Sequence, residues 1–218
     1  MPSAQVAADR TDWPAMKASR KGLTTKARIL RAALDVLVEH GYANLTIKAV
    51  ADKAGIAYGN LTYHYPAKET LIGGMLELWL EDYKQELDQL LRKALKTSDS
   101  PLPTLVEWLV EDAMTKQTAR TFTELWAMSN QDPKTAKVVN QLYDDAIESF
   151  MSALGVDPQD RAAREFRSAL YFFAVVTEGS SAIFGNRPKT HPQAKAVRHI
   201  AQTVLVPLLE SALARARR

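Results

Sequence analysis

Cysteine is missing from this 218-residue sequence altogether. That excludes a disulfide framework and any thiolate metal site. Long apolar runs are missing too. The longest, Ala169 to Val176, is eight residues, against the roughly 20 a helix needs to cross a bilayer. Residues 1–22 lack the apolar centre of a secretory leader. No membrane partner is expected, and the expected location is cytoplasmic. The four histidines, His40, His64, His191 and His199, show no HExxH pairing. The nine glycines form neither a phosphate-cradling loop nor a GxSxG elbow. Asp144 and Asp145 are adjacent, so on a helix they splay instead of converging. No metal, no cofactor and no catalytic set is expected. An all-α enzyme with a hidden site remains the rival reading from these residues.

Strand alternation is likewise missing, whereas helical spacing of apolar residues runs through most of the chain. A first helix is expected from Thr24 to His40, with Ala27, Leu30, Ala33, Leu34, Leu37 and Val38 on its apolar stripe and Gly41 as its stop. After Pro66 an apolar face from Leu71 to Leu95 predicts one long helix, or two in line, ending near Lys96. Gly73 and Gly74 lie near its start, either as a bend or as a point of close packing. Further helices are expected over 103–116, 118–130, 134–154, 159–185 and 192–216. Breaks fall at Asp132-Pro133, at 155–158 and at 185–188. The fold class is all-α, with about three helices at the N-terminus and a bundle of about six behind them.

The most specific stretch is 46–71, TIKAVADKAGIAYGNLTYHYPAKETL. Thr46 suits a helix N-cap. Ile47, Val50, Ala51 and Ala54 follow at helical spacing, and Gly55 stands where a left-handed stop is wanted. Residues 57–65 then form a helix too short to persist without tertiary support, and Pro66 ends it. If Leu61 and Tyr65 face inward, Tyr58, Gly59, Asn60, Thr62, Tyr63 and His64 face outward. Helix, tight turn and short second helix form the layout of a helix-turn-helix DNA reader. The outward set fits that role. Asparagine can pair bidentately with adenine, and the Thr62 and Tyr63 hydroxyls and a protonated His64 can bond phosphates. Gly59 leaves room for close backbone approach. Lys48 is placed to reach a phosphate or a guanine, and Lys68 a phosphate. The charge distribution agrees, with ten Lys/Arg against five Asp/Glu in residues 1–68 and eighteen against twenty in the remainder. A basic N-terminal third suits the DNA polyanion. A nonspecific architectural DNA-binding protein shares that feature.

Three segments, EHGYANLT at 39–46, AGIA at 54–57 and NLTYHYPAKETL at 60–71, resemble the DNA-binding domain of the TetR family of transcriptional regulators. The likeness covers about residues 24 to 80, and its most specific part is the His-aromatic-Pro-x-Lys ending. It implies that Lys48, Asn60, Tyr63, His64 and Lys68 occupy positions that commonly meet DNA. Two departures stand out. Ala57 replaces the family's usual Ser or Thr cap, with packing of Tyr58 as the available compensation. Thr62 replaces a frequent Tyr.

The resemblance divides the chain into a flexible basic arm at 1–22, a helix-turn-helix domain at 23–68 and a helical domain for ligand binding and dimerisation at 69–218. It implies a repressor that binds a palindromic operator in double-stranded DNA as a homodimer and is released by a small-molecule effector. The last two helices would pair with their copies in a partner, through Phe166, Leu170, Ile200, Val204 and Leu208. Aromatic residues of the middle helices, Trp79, Tyr83, Trp108, Phe122, Trp126 and Phe173, with Thr177, would line the effector pocket. Plain core packing is the alternative for these residues. Asn130, Thr177 or Glu178 would orient a polar group of the ligand.

Overall fold

The computed structural model describes residues 24–97, 100–188 and 190–217; the expected basic arm at 1–22 lies outside them. Every regular element among the described residues is helical. The chain divides into two compact units, Met1–Glu86 and Leu87–Arg218.

In the first unit, α1 spans Thr25–His40. Its N-cap is Thr24, whose hydroxyl accepts the Ala27 N–H at 3.3 Å. The helix ends at Gly41, with φ 77°, a conformation open to residues without a Cβ. A short 3-10 turn, Tyr42–Asn44, leads past the fully buried Leu45 to α2, Ile47–Ala54. Here Thr46 caps, accepting from the Ala49 N–H at 3.1 Å. At the far end Gly55 adopts φ 65° and ψ 42°. The Ile56 N–H reaches Ala51 O at 3.1 Å and the Gly55 N–H reaches Asp52 O at 3.2 Å. These two bonds form a Schellman stop, which turns the chain sharply into α3, Tyr58–His64. Ile29, Leu37, Val50 and Leu61 are fully buried and hold the three helices together.

The long helix α4, Lys68–Thr97, is continuous, and the division between the units falls within it. Of its two glycines, only Gly74 lies at a close approach. A Cβ there would stand 3.1 Å from Leu30 Cδ2 and 3.3 Å from Tyr65 Cε1, whereas one on Gly73 would meet nothing within 4 Å. Close packing, not a bend, accounts for Gly74. Arg31 on α1 meets Asp82 on α4 at 3.4 Å. Burial pushes the Asp82 carboxyl above its usual range, and Arg31 opposes that shift.

The second unit contains α5 (Leu102–Ala113), α6 (Lys116–Ser129), α7 (Pro133–Ala153), α8 (Arg164–Phe184), α9 (Pro192–Ile200) and α10 (Val206–Ala216). Thr115 caps α6. Asp132 caps α7, accepting from the Thr135 N–H at 3.0 Å and the Thr135 hydroxyl at 2.7 Å. These bonds, the side-chain one first, hold the Asp132 carboxyl below the usual carboxylate range. The single helix expected over 192–216 is interrupted by a π turn, Ala201–Leu205. Pro207 lies two residues beyond that turn, and its ring and missing N–H disturb a regular α ladder. One core cluster joins Val106 and Val110 of α5, Met151 of α7, Phe166, Leu170 and Phe173 of α8, and Leu209 of α10. No helix among the described residues is long and apolar enough to cross a membrane.

Candidate functional site

Exposure on α3 follows from one anchored side chain. Leu61 is fully buried, while Tyr58 and Tyr63 are 59% and 83% exposed. Gly59 and Asn60 are exposed as well, and Thr62 and His64 are half-buried. Residues two positions either side of a helical residue stand on nearly the opposite face, so a helix anchored at Leu61 turns Gly59 and Tyr63 away from the core, while Tyr58 is exposed at the helix start. Two large exposed aromatics beside an exposed asparagine form a face with base-edge and stacking chemistry. The Tyr63 and His64 rings meet edge-on, with centroids 5.3 Å apart.

Two expectations about this face are corrected. The Thr62 hydroxyl bonds back to Tyr58 O and Gly59 O, both at 3.2 Å, so it is engaged within its own helix and is not free for phosphate. Tyr58 is too exposed to replace the missing cap by packing. Ala57 has extended backbone, φ −65° and ψ 144°, with no side-chain hydrogen bond. That backbone already suits a capping hydroxyl. Ala57→Ser is therefore expected to raise stability by about 1 kcal/mol, read as a higher midpoint in thermal unfolding.

The surrounding cations differ in their engagements. Lys53 Nζ bonds Glu39 at 2.6 Å, and Arg28 donates to Ala54 O at 2.9 Å, satisfying a carbonyl at the end of α2. Lys48, next to the α2 cap, is exposed. Lys68 starts α4, with its Nζ 4.4 Å from the Tyr42 ring centroid; a cation over that ring face is held by the ring quadrupole. Thr46 sets the start of α2 by accepting the Ala49 N–H, and its own O–H can still donate to a phosphate.

The residues expected to line one pocket belong to both units. Trp79 and Tyr83 belong to the first unit, where their rings stack at 5.3 Å and 17°. Trp108, Phe122 and Phe173 are buried in the second unit. The Thr177 hydroxyl is spent on Ala174 O at 2.8 Å. Trp126 behaves differently. It is 38% exposed, its ring stacks on Tyr143 at 5.8 Å and 21°, and its Nε1–H donates to Glu178 Oε2 at 3.2 Å. Tyr143 donates its hydroxyl to Glu178 Oε1 at 2.6 Å. Burial drives the Glu178 carboxyl above its usual range, and the Tyr143 and Trp126 hydrogen bonds only partly oppose it. The signal for this cluster is that Glu178 is the one ionisable acid or base in 168–186 apart from Tyr171.

The expected pairing surface also needs correction. Phe166 is 0% and Leu170 4% exposed; both lie inside the core of their own protomer. Ile200, Val204 and Leu208 are exposed, and so are Phe172, Val175 and Ile183 of α8. Helical spacing shows the reason. Phe166, Leu170 and Phe173 occupy one face of α8, whereas Phe172, Val175, Gly179 and Ile183 recur on another. Gly179 has open space where a Cβ would stand.

Residues 29–75 match the family described as bacterial regulatory proteins, tetR family. Over 97 residues the chain is 30% identical to the HTH-type transcriptional regulator RutR of Escherichia coli K12, covering 43% of this chain and 42% of that protein. The match thus spans less than half the length of that relative. A longer match of 150 residues, 24% identical, reaches the HTH-type transcriptional regulator BetI of Stenotrophomonas maltophilia, over 66% of this chain and 76% of BetI. Among solved structures, Salmonella enterica GusR superposes with a TM-score of 0.63 at 20% identity, over 87% of this chain and 97% of GusR. At that identity the likeness concerns the fold.

Proposed function

Because the chain belongs, through residues 29–75, to the tetR family of bacterial regulatory proteins, we propose that it is a cytoplasmic repressor that binds a palindromic operator as a homodimer. A small molecule held in the second unit would lower its DNA affinity. The observation that carries the reading is α3, a short helix anchored by Leu61 that exposes Tyr58, Asn60 and Tyr63. Asn60 supplies direct base readout, with adenine as the natural match. Lys48 and Lys68 supply phosphate contacts, which fix register without reading sequence. Two such helices in a twofold dimer read two half-sites about one helical turn apart. An effector acts by binding more tightly to the dimer whose readers are misplaced for that spacing.

Selection from random duplex DNA at near-physiological salt, followed by sequencing, tests the reading. An inverted repeat is the expected result. Enrichment of no sequence, with binding that only falls steeply with salt, would favour a nonspecific architectural protein. On the selected site, Asn60→Ala is expected to relax preference at one position per half-site, costing roughly 1–3 kcal/mol there. Lys68→Ala is expected to weaken all sequences about equally and to lower the salt slope. A change of preference at a single base in Lys68→Ala would show the phosphate assignment to be wrong.

A further inference from the structure

Glu178 presents a physical problem that its neighbours do not solve. It sits on α8, two residues beyond the apolar run 169–176, and is half-buried. Its two contacts are neutral donors, the Tyr143 hydroxyl from α7 and the Trp126 indole N–H from α6. Among the described residues no lysine or arginine pairs with it. A carboxylate has about four lone-pair sites, so two are left over, and its charge has no counterion. Drawing a charge partly out of water without a partner costs free energy. Joining three helices needs no charge at all, since a glutamine could accept from the Trp126 indole with its oxygen and donate its amide N–H to the Tyr143 oxygen.

The flanking groups say what would complete the site. Trp126 and Tyr143 stack with their polar edges on the same carboxylate, and Trp126 is open to solvent. Aromatic faces attract cations, indole most strongly, and they favour poorly hydrated organic cations that also bring apolar surface. A carboxylate beside an indole and a phenol, reachable from outside, thus has the chemistry of an ammonium receptor. We propose that Trp126, Tyr143 and Glu178 bind an organic ammonium cation, and that this cation is the effector class of the regulator. Glu178 supplies the counter-charge. Its two hydrogen bonds fix the carboxylate, and the rings hold the alkyl groups around the nitrogen. Binding itself follows from the cluster alone, while its regulatory consequence rests on the repressor reading above.

The test uses the full chain carrying ¹⁵N-labelled tryptophan, with the Trp126 indole resonance assigned from Trp126→Phe. Tetramethylammonium is titrated at constant ionic strength, and tert-butyl alcohol serves as a neutral probe of similar size. The expected result is a saturable shift of the Trp126 indole signal with tetramethylammonium and none with the alcohol. Glu178→Gln, whose amide can accept from Trp126 and donate to the Tyr143 oxygen, should stay folded by circular dichroism and bind at least tenfold more weakly. The proposal is overturned if tetramethylammonium produces no saturable shift, if the alcohol binds equally well, or if Glu178→Gln keeps full affinity. The selected operator complex is then challenged with the same cation. Release of DNA supports the effector role. Binding to the protein without release leaves the ammonium site standing and overturns the effector role alone.

Discussion

Aspartate at both Val175 and Ile183 is expected to yield a folded monomer that no longer holds its operator. Both positions are solvent-exposed in the protomer, at 66% and 57%, so the charges cost little in folding. Across a twofold contact the same charges would be buried against apolar side chains and, near the axis, against their own copies. Phe172 and Gly179 lie on the same face of α8, and Ile200, Val204 and Leu208 are exposed further along the chain. An apolar surface of this kind calls for a cover. A second copy suits it because Gly179 leaves space for a helix to approach closely. A monomer reads one half-site, and losing the linked second half-site costs roughly 10²-fold or more in affinity. Light scattering after size exclusion reads the mass, circular dichroism the fold, and titration of labelled operator the binding. A double variant that stays dimeric would place the pairing surface elsewhere.

A second large effect is expected at Gly185, just beyond α8. A Cβ at this position would overlap the Ala119 Cβ of α6 and would stand 2.8 Å from Ser181 O. Neither obstacle is the flexible end of a long side chain, so backbone must move. Gly185→Val is expected to destabilise the protein by about 2–3 kcal/mol, the upper range for overpacking a close contact. At several degrees per kcal/mol the shift in thermal midpoint is easily measured. Gly179→Ala provides the contrast on the adjoining helix. Its Cβ enters open space, and alanine in a helix interior is worth about 0.5–1 kcal/mol over glycine, so the protomer itself should be no less stable. Equal losses at the two positions would mean that glycine is needed for chain freedom at both, and not for the approach of α6 at one.

The N-terminal unit was open to reading in one dimension because its signals are local. A capping threonine acts on the third residue after it, a Schellman glycine on bonds spanning five residues, and a proline on its own turn. Thr46, Gly55 and Pro66 therefore mark α2 and α3 from sequence alone, and Leu61 orients α3 by helical period. What failed there was also local but subtler. The Thr62 hydroxyl had a carbonyl of its own helix within reach, a competition that a list of residue types does not rank. The C-terminal unit was less legible. Its helices carry apolar residues on more than one face, so periodicity alone does not say which face meets its own core and which meets solvent. Phe166 and Leu170 went to the inside, Phe172 and Val175 to the outside.

By itself the sequence determined the all-helical class, the helix limits to within a few residues, the turn that makes the reader and the residues exposed on it. Each depends on interactions spanning a handful of positions. The tertiary structure alone decided that Gly74 and Gly185 are points of close approach, that Trp126 of α6 stacks on Tyr143 of α7, and that Glu178 joins α6, α7 and α8. Those facts depend on residues 17 to 66 positions apart being brought within a few ångströms. No local rule fixes such a meeting, because it follows from how whole helix faces pack.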